Sequence, residues 1–211
     1  EDFMKKLIFL AAAALLSATA FCAEHTLGLG ITFPVSSLNF KDSDDEFDED
    51  ITQTGVGVDL TYLFISDSGF TGKADFAFEK ISASDFEENP DEGLNWVFDF
   101  GIGYTFLRDE KFSISALGMF GFSLGAYNWY DDPVTESLLM KTLDFGVDVV
   151  GKFKFTNHLG AFANLGLRYS IDAGSKYEVE FRASAHEEDF DIDLKTQGFR
   201  FIPTLGVSWT F

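Results

Sequence analysis

Eight segments of this 211-residue chain alternate apolar side chains with small, polar or charged ones at a period of two. Nothing else in the sequence constrains the fold as tightly. Successive residues of a strand point to opposite faces, so a two-residue period specifies strands with two chemically different faces. The segments begin at Leu27, Val56, Phe70, Leu94, Phe112, Leu143, Leu159 and Phe199. The fourth is the clearest, with Leu94, Trp96, Phe98, Phe100, Ile102, Tyr104 and Phe106 set against Asn95, Asp99, Gly101, Gly103 and Thr105. Beyond the amino-terminal segment there is no helical periodicity and no apolar run of the roughly 20 residues that a membrane helix needs.

Charge sorts onto one face. Asp59, Lys73, Asp75, Glu79, Asp99, Asp144, Asp148, Lys152, Lys154, Arg168, Asp172 and Arg200 all fall on the polar parity of their segments, and no charge falls on the apolar parity. With 26 Phe and 17% aromatic residues against a formal charge of -20, the chain has far too much bulky apolar surface for a disordered polymer. It also lacks the basic face that nucleic-acid binding requires.

A soluble β-sandwich would use the apolar parity as its core. Connection lengths argue otherwise. The links after the second, fourth and sixth segments are tight (Ser66 to Gly69, Arg108 to Lys111, Thr156 to His158), whereas those after the first, third, fifth and seventh are long. An even strand number with short and long connections at opposite ends is the pattern of a transmembrane barrel, where a charge on the lipid face costs about 2–4 kcal/mol at the midplane. The expected fold is an all-β, eight-stranded antiparallel up-and-down transmembrane β-barrel. In it, aromatics near the short turns, such as Tyr62, Phe64, Phe70, Tyr104 and Phe155, form an interfacial girdle. Pro203 interrupts the last segment, implying a bulge or a locally unpaired position.

The chain ends in Leu205, Val207, Trp209 and Phe211, alternating with Gly206, Ser208 and Thr210. This end resembles the carboxy-terminal signal read by the outer-membrane assembly machinery. With the eight-segment pattern, it makes the chain similar to the small bacterial outer-membrane barrels of the OmpX, OmpA amino-terminal and OmpW type. The resemblance implies a protein of the bacterial outer membrane whose partners include outer-membrane lipid and the assembly machinery; a monomer is expected.

Residues 1–23 read as a secretory signal peptide: Lys5 and Lys6, an apolar stretch from Leu7 to Leu16, then small residues, with cleavage after Ala20 or Ala23 and the former preferred. Residues 24–211 then form a single barrel domain. Cys22, the only cysteine, has Thr19 and Phe21 where lipidation needs an aliphatic and a small residue, so no lipid anchor and no disulfide framework are expected.

The expected lumen is a polar network of Asp59, Lys73, Asp75, Asp99, Asp144, Asp148, Lys152, Arg168 and Arg200, with Arg168 diagonal to Asp144 and Asp148, and Asp59 near Lys73 and Asp75. Opposed charges in so narrow a space should pair and plug it. The long connections, residues 36–51, 80–93, 128–141 and 173–195, hold -16 of the -20 net charge. The run from Asp42 to Asp50 lacks the sixth-place Gly and twelfth-place Glu of an EF-hand, so diffuse attraction of divalent cations is expected there, not a specific calcium site. In the last connection Tyr177, Val179 and Phe181, then Phe190 and Ile192, alternate again. These imply a protruding hairpin with an exposed edge for a surface protein partner, and a bulge between Lys195 and Gly198 to reconcile the parity of Phe190 with that of Phe199.

No catalytic constellation accompanies the three histidines, and neither cofactor nor metal is expected. The expected function is a non-enzymatic surface-interaction or envelope-structural barrel. The alternative is a narrow OmpW-like channel for small hydrophobic molecules.

Overall fold

The computed structural model describes residues 22–42, 48–84, 90–131, 134–181 and 189–211. The signal peptide therefore lies outside the described residues, except that Cys22 and Ala23 begin the first strand. Ten strands form: β1 (Cys22–Thr32), β2 (Val35–Asp42), β3 (Asp48–Ser66), β4 (Phe70–Ala83), β5 (Glu92–Arg108), β6 (Phe112–Asp131), β7 (Val134–Lys154), β8 (Leu159–Asp172), β9 (Ser175–Phe181) and β10 (Asp189–Thr210). Each of β1 and β2 pairs with both β3 and β10, and each of β8 and β9 with both β7 and β10. The ten segments thus make one closed antiparallel ring of eight staves.

The ring is sheared. A row of paired residues from Tyr62 runs through Ala74, Phe100, Phe120, Phe145, Tyr169, Phe199 and Ser37, and returns to β3 at Thr52, a displacement of 10 residues (62 to 52). Such a shear tilts the strands by roughly 35–45° and leaves an interior just wide enough to be filled by side chains. The last strand closes the ring on the first, with Trp209 opposite Leu27 and Leu205 opposite Ile31.

Both prolines of the strand region sit at one break. Pro34 separates β1 from β2, and Pro203 faces that gap in β10. Their carbonyls still accept bonds, Pro203 from Phe33 at 3.0 Å and Pro34 from Gly55 at 2.9 Å. Pro203 is thus locally unpaired on the β1/β2 side while in register with Leu165 on the other.

Two expectations are corrected. Much of the first and third long connections is strand, not loop: β2, the start of β3, the end of β6 and the start of β7 lie within them. No bulge interrupts β10 between Lys195 and Gly198. Leu194, Thr196, Arg200, Ile202, Thr204, Ser208 and Thr210 all bury their side chains inward, on one unbroken parity. The irregularity lies on the neighbouring stave, where Gly174, at φ +110°, separates β8 from β9 and Asp172 accepts bonds from the Gly174 and Ser175 amides at 3.0 and 2.9 Å. The expected β9–β10 hairpin forms, with its β9 arm also paired to β7, whereas β10 is paired to β2 only from Leu194 onward.

One rule explains both. Side-chain parity is kept along the staves apart from the offset at Gly174 and a register shift between Thr105 and Leu107, but its chemistry inverts partway. Across the middle of the wall the outward positions are apolar and exposed, as with Leu60 at 50%, Phe98 at 37% and Val147 at 56%, and the inward ones are polar and buried. Toward the long-connection end the outward positions become Thr52, Thr54, Lys80, Ser82 and Glu92, and the inward ones become Leu38, Phe40, Ile51, Ile81, Tyr127, Leu138, Met140 and Leu194, packed as one buried cluster. That upper wall has the sidedness of a soluble barrel. Its packing is tight enough that Ile51→Val should lower the unfolding free energy by about 0.5–1.5 kcal/mol, measurable as a shift in the urea midpoint.

Candidate functional site

Among the described residues, buried polar chemistry concentrates in the lumen, which is built in layers from the inward residues of the staves. At the centre Arg168 of β8 reaches Asp99 on β5, with Nε and Nη2 at 2.9 and 2.7 Å from one carboxylate oxygen, and Asp148 on β7, with Nη1 at 2.6 Å. Lys73 on β4 joins the other Asp148 oxygen at 2.6 Å and Asp75 at 2.5 Å. The Thr61 hydroxyl lies 2.5 Å from Asp59 and 2.8 Å from Asp75, so Asp59 enters the network through a hydroxyl. A central cation with two carboxylate partners on different staves crosslinks the ring through its middle.

One layer toward the long-connection end, Arg200 pairs with Glu79, which also accepts from Asn95 at 2.8 Å. Asp144 takes only hydroxyl donors among the described residues: Ser123, Ser170 at 2.6 Å and Thr142 at 3.1 Å. The expected contact of Arg168 with Asp144 is therefore replaced by one with Asp99. The long guanidinium spans the lumen to the far wall, while the shorter hydroxyls beside Asp144 satisfy it in place. Glu79 belongs to the network as fully as the residues singled out from sequence. A cavity of about 20 Å³, lined by Ser36, Gln53, Asn95, Ser123, Thr142 and Arg200, remains here. It has room for about one water molecule.

Two apolar layers bracket these charges. Toward the short turns Leu63, Ile65, Leu117, Met119 and Val150 form a buried inward cluster. Phe162, the phenylalanine on the wrong parity of its segment, fills the space over Gly28, Gly30 and Gly206, where an added Cβ would come within 2.4–2.8 Å of a neighbouring atom. Toward the other end lies the larger cluster of Leu38, Phe40 and Ile51, to which the buried Tyr127 hydroxyl is tied by the Gln53 amide at 2.9 Å. At the short-turn mouth Lys152 pairs with Glu24 and donates to Thr26 at 3.0 Å, with Lys154 and Arg108 at 2.6 and 3.6 Å from the same Glu24 carboxylate. Glu24 shares the inward parity of Thr26 and was legible by extending the first segment two residues back.

The remaining singled-out residues lie outside the lumen or at its upper rim. Leu205, Val207, Trp209 and Phe211 are all outward and more than half exposed; Trp209 stacks on His158 and Phe211 on His25 at ring-centroid distances of 5.4 and 5.7 Å. Of the aromatics near the turns, Phe64 departs from the exposed girdle, lying buried over Gly72 against Phe70. Tyr177 and Ile192 pack against the upper apolar cluster. Val179 is half-buried, whereas the side chains of Phe181 and Phe190, most of the acidic run from Asp42 to Asp50, and His186 lie outside the described residues. Among the described residues no group of three or more His, Cys, Asp or Glu side chains is placed to hold a metal ion.

A closed eight-stave ring, a band of outward apolar residues without a charge, and a buried ionic interior define a transmembrane β-barrel. The chain belongs to the family described as the outer membrane protein beta-barrel domain, whose profile matches residues 8–211, and so to the bacterial outer membrane. No curated protein matches it in sequence. Among solved structures it is similar to a major outer membrane protein of Thermus thermophilus, with a TM-score of 0.62 and 12% identity over 86% of this chain and 99% of that one. It is also similar to Ail, the attachment invasion locus protein of Yersinia pestis (TM-score 0.42, 15% identity, 89% and 98% covered), and to the outer membrane protein AlkL (TM-score 0.47, 13% identity, 89% and 90% covered). The first of these likenesses shows a shared fold.

Proposed function

We propose that this protein is a non-enzymatic, closed outer-membrane barrel, exported by its signal peptide, acting as a monomer, whose acid-rich outer end contacts cations, surface lipid or a partner protein outside the cell. The observation that carries this reading is the filled lumen. An ion-paired layer tied across four staves lies between two apolar layers, and the cavity beside Arg200 holds about 20 Å³. A hydrated ion or small hydrophobic solute would have to unpack both layers and break buried charge pairs. The upper wall extends beyond the lipid band as paired strands, the form suited to display. Refolded protein in planar bilayers is therefore expected to give no discrete openings at 100 mV. Reproducible openings would favour the narrow-channel reading.

A further inference from the structure

At the outer mouth the inward face of β6, β7 and β9 carries two rows of paired residues. The lower row is Tyr127, Leu138 and Tyr177, and the upper is Trp129, Glu136 and Val179. Tyr127 and Leu138 are buried in the apolar cap, whereas Trp129, Glu136, Tyr177 and Val179 are half-exposed above it. Glu136 is thus a carboxylate set among aromatic and aliphatic side chains on the inside of the wall. It accepts a hydrogen bond from the neutral Tyr177 phenol, and the rings of Tyr127 and Trp129 lie 6.2 Å apart, inclined at 48°. Burial, then the Glu136 carboxylate beside it, push the Tyr177 phenol upward, so it stays neutral and available as a ring face and donor.

From this juxtaposition we infer that the outer mouth binds small amphiphilic quaternary ammonium compounds, with the ammonium against Glu136 and the Trp129 and Tyr177 rings, and the apolar part toward Leu138 and Val179. The negative face of an aromatic ring attracts a cation within about 6 Å of its centroid. The carboxylate supplies the full opposite charge, and the acidic outer segments raise the local concentration of cations. A primary ammonium brings three N–H donors that must be satisfied on leaving water, and this patch offers one carboxylate for them. A fully methylated ammonium brings none, and its methyl groups suit the aliphatic surroundings. The patch faces the inside of the wall, which choline lipids of a bilayer do not reach, so the ligand is a free solute. The inference rests on the outer mouth facing the medium, as in the reading above, but not on whether the lumen conducts.

The test uses the full chain refolded in neutral maltoside micelles free of choline, titrated with benzyltrimethylammonium and, separately, with its neutral isostere neopentylbenzene, followed by tryptophan fluorescence and calorimetry. The expected result is saturable one-site binding of the cation, with the neutral isostere at least about tenfold weaker. Glu136→Gln, which keeps an acceptor for Tyr177, and Trp129→Leu should each weaken cation binding about tenfold. Heat-modifiable gel mobility confirms that both variants still fold. Absence of saturable binding, equal binding of cation and isostere, or unchanged affinity in both variants would overturn the inference. Loss of binding in a protein silent in bilayers would leave the closed-barrel reading standing, and openings with binding intact would remove that reading alone.

Discussion

Arg168→Met is expected to lower the unfolding free energy of the refolded barrel by roughly 3–5 kcal/mol, the cost of stranding a buried charge partner. The guanidinium is the single cation bonded to Asp99 among the described residues and one of two bonded to Asp148, and all three side chains are buried. Its removal leaves Asp99 with no compensating charge, whereas Asp148 keeps Lys73. The double variant Arg168→Met/Asp99→Leu removes both members of the stranded pair and should recover most of the loss, because replacing a whole buried pair by apolar side chains is often neutral. Urea unfolding in lipid vesicles, followed by tryptophan fluorescence, measures both. A single variant costing under about 1 kcal/mol would mean that the ionic layer is hydrated and does not crosslink the ring.

The second large effect separates the two halves of the wall. Val147 is outward, 56% exposed, and near the middle of the apolar column that runs from Leu143 to Phe153 on β7. Val147→Arg should cost about 2–4 kcal/mol in the same vesicle assay, the penalty for a charge facing lipid near the midplane. Ser82 is outward and exposed on β4, above the same band, and Ser82→Arg should change stability by no more than about 0.5 kcal/mol. Equal effects at the two positions would contradict the placement of the lipid boundary between them. A soluble barrel would also give equal effects.

The transmembrane wall was legible because lipid enforces a strict rule on one face. Across the middle of the wall the outward columns through Leu60, Phe98, Val147 and Val207 hold no charge, and the charges of these strands there sit on the inward parity. Much of the upper wall reads as loop in the sequence because its inward residues, Leu38, Phe40, Ile51 and Ile81, sit on the parity that is polar lower down. Taken as a lipid-facing pattern they look out of register, and a bulge at Lys195 to Gly198 is the natural repair. Taking water as the outer solvent restores one parity from Leu194 to Thr210. The choice of Asp99 over Asp144 by Arg168 was not legible, because it depends on which staves face each other across the lumen, and that is set by the shear of 10 residues and not by neighbours in sequence.

The inversion of chemistry at constant parity can be measured along one strand. On a background with Cys22 replaced, single cysteines at positions 50 to 62 of β3 would carry a spin label whose collisions with a lipid-soluble and a water-soluble relaxant are compared. The structure predicts that labels at Val58 and Leu60 meet the lipid-soluble agent, labels at Thr52 and Thr54 meet the water-soluble one, and labels at the inward positions Ile51, Gln53 and Asp59 meet neither. Water access at Ile51, or a switch of the lipid-facing parity between Thr54 and Val58, would contradict it.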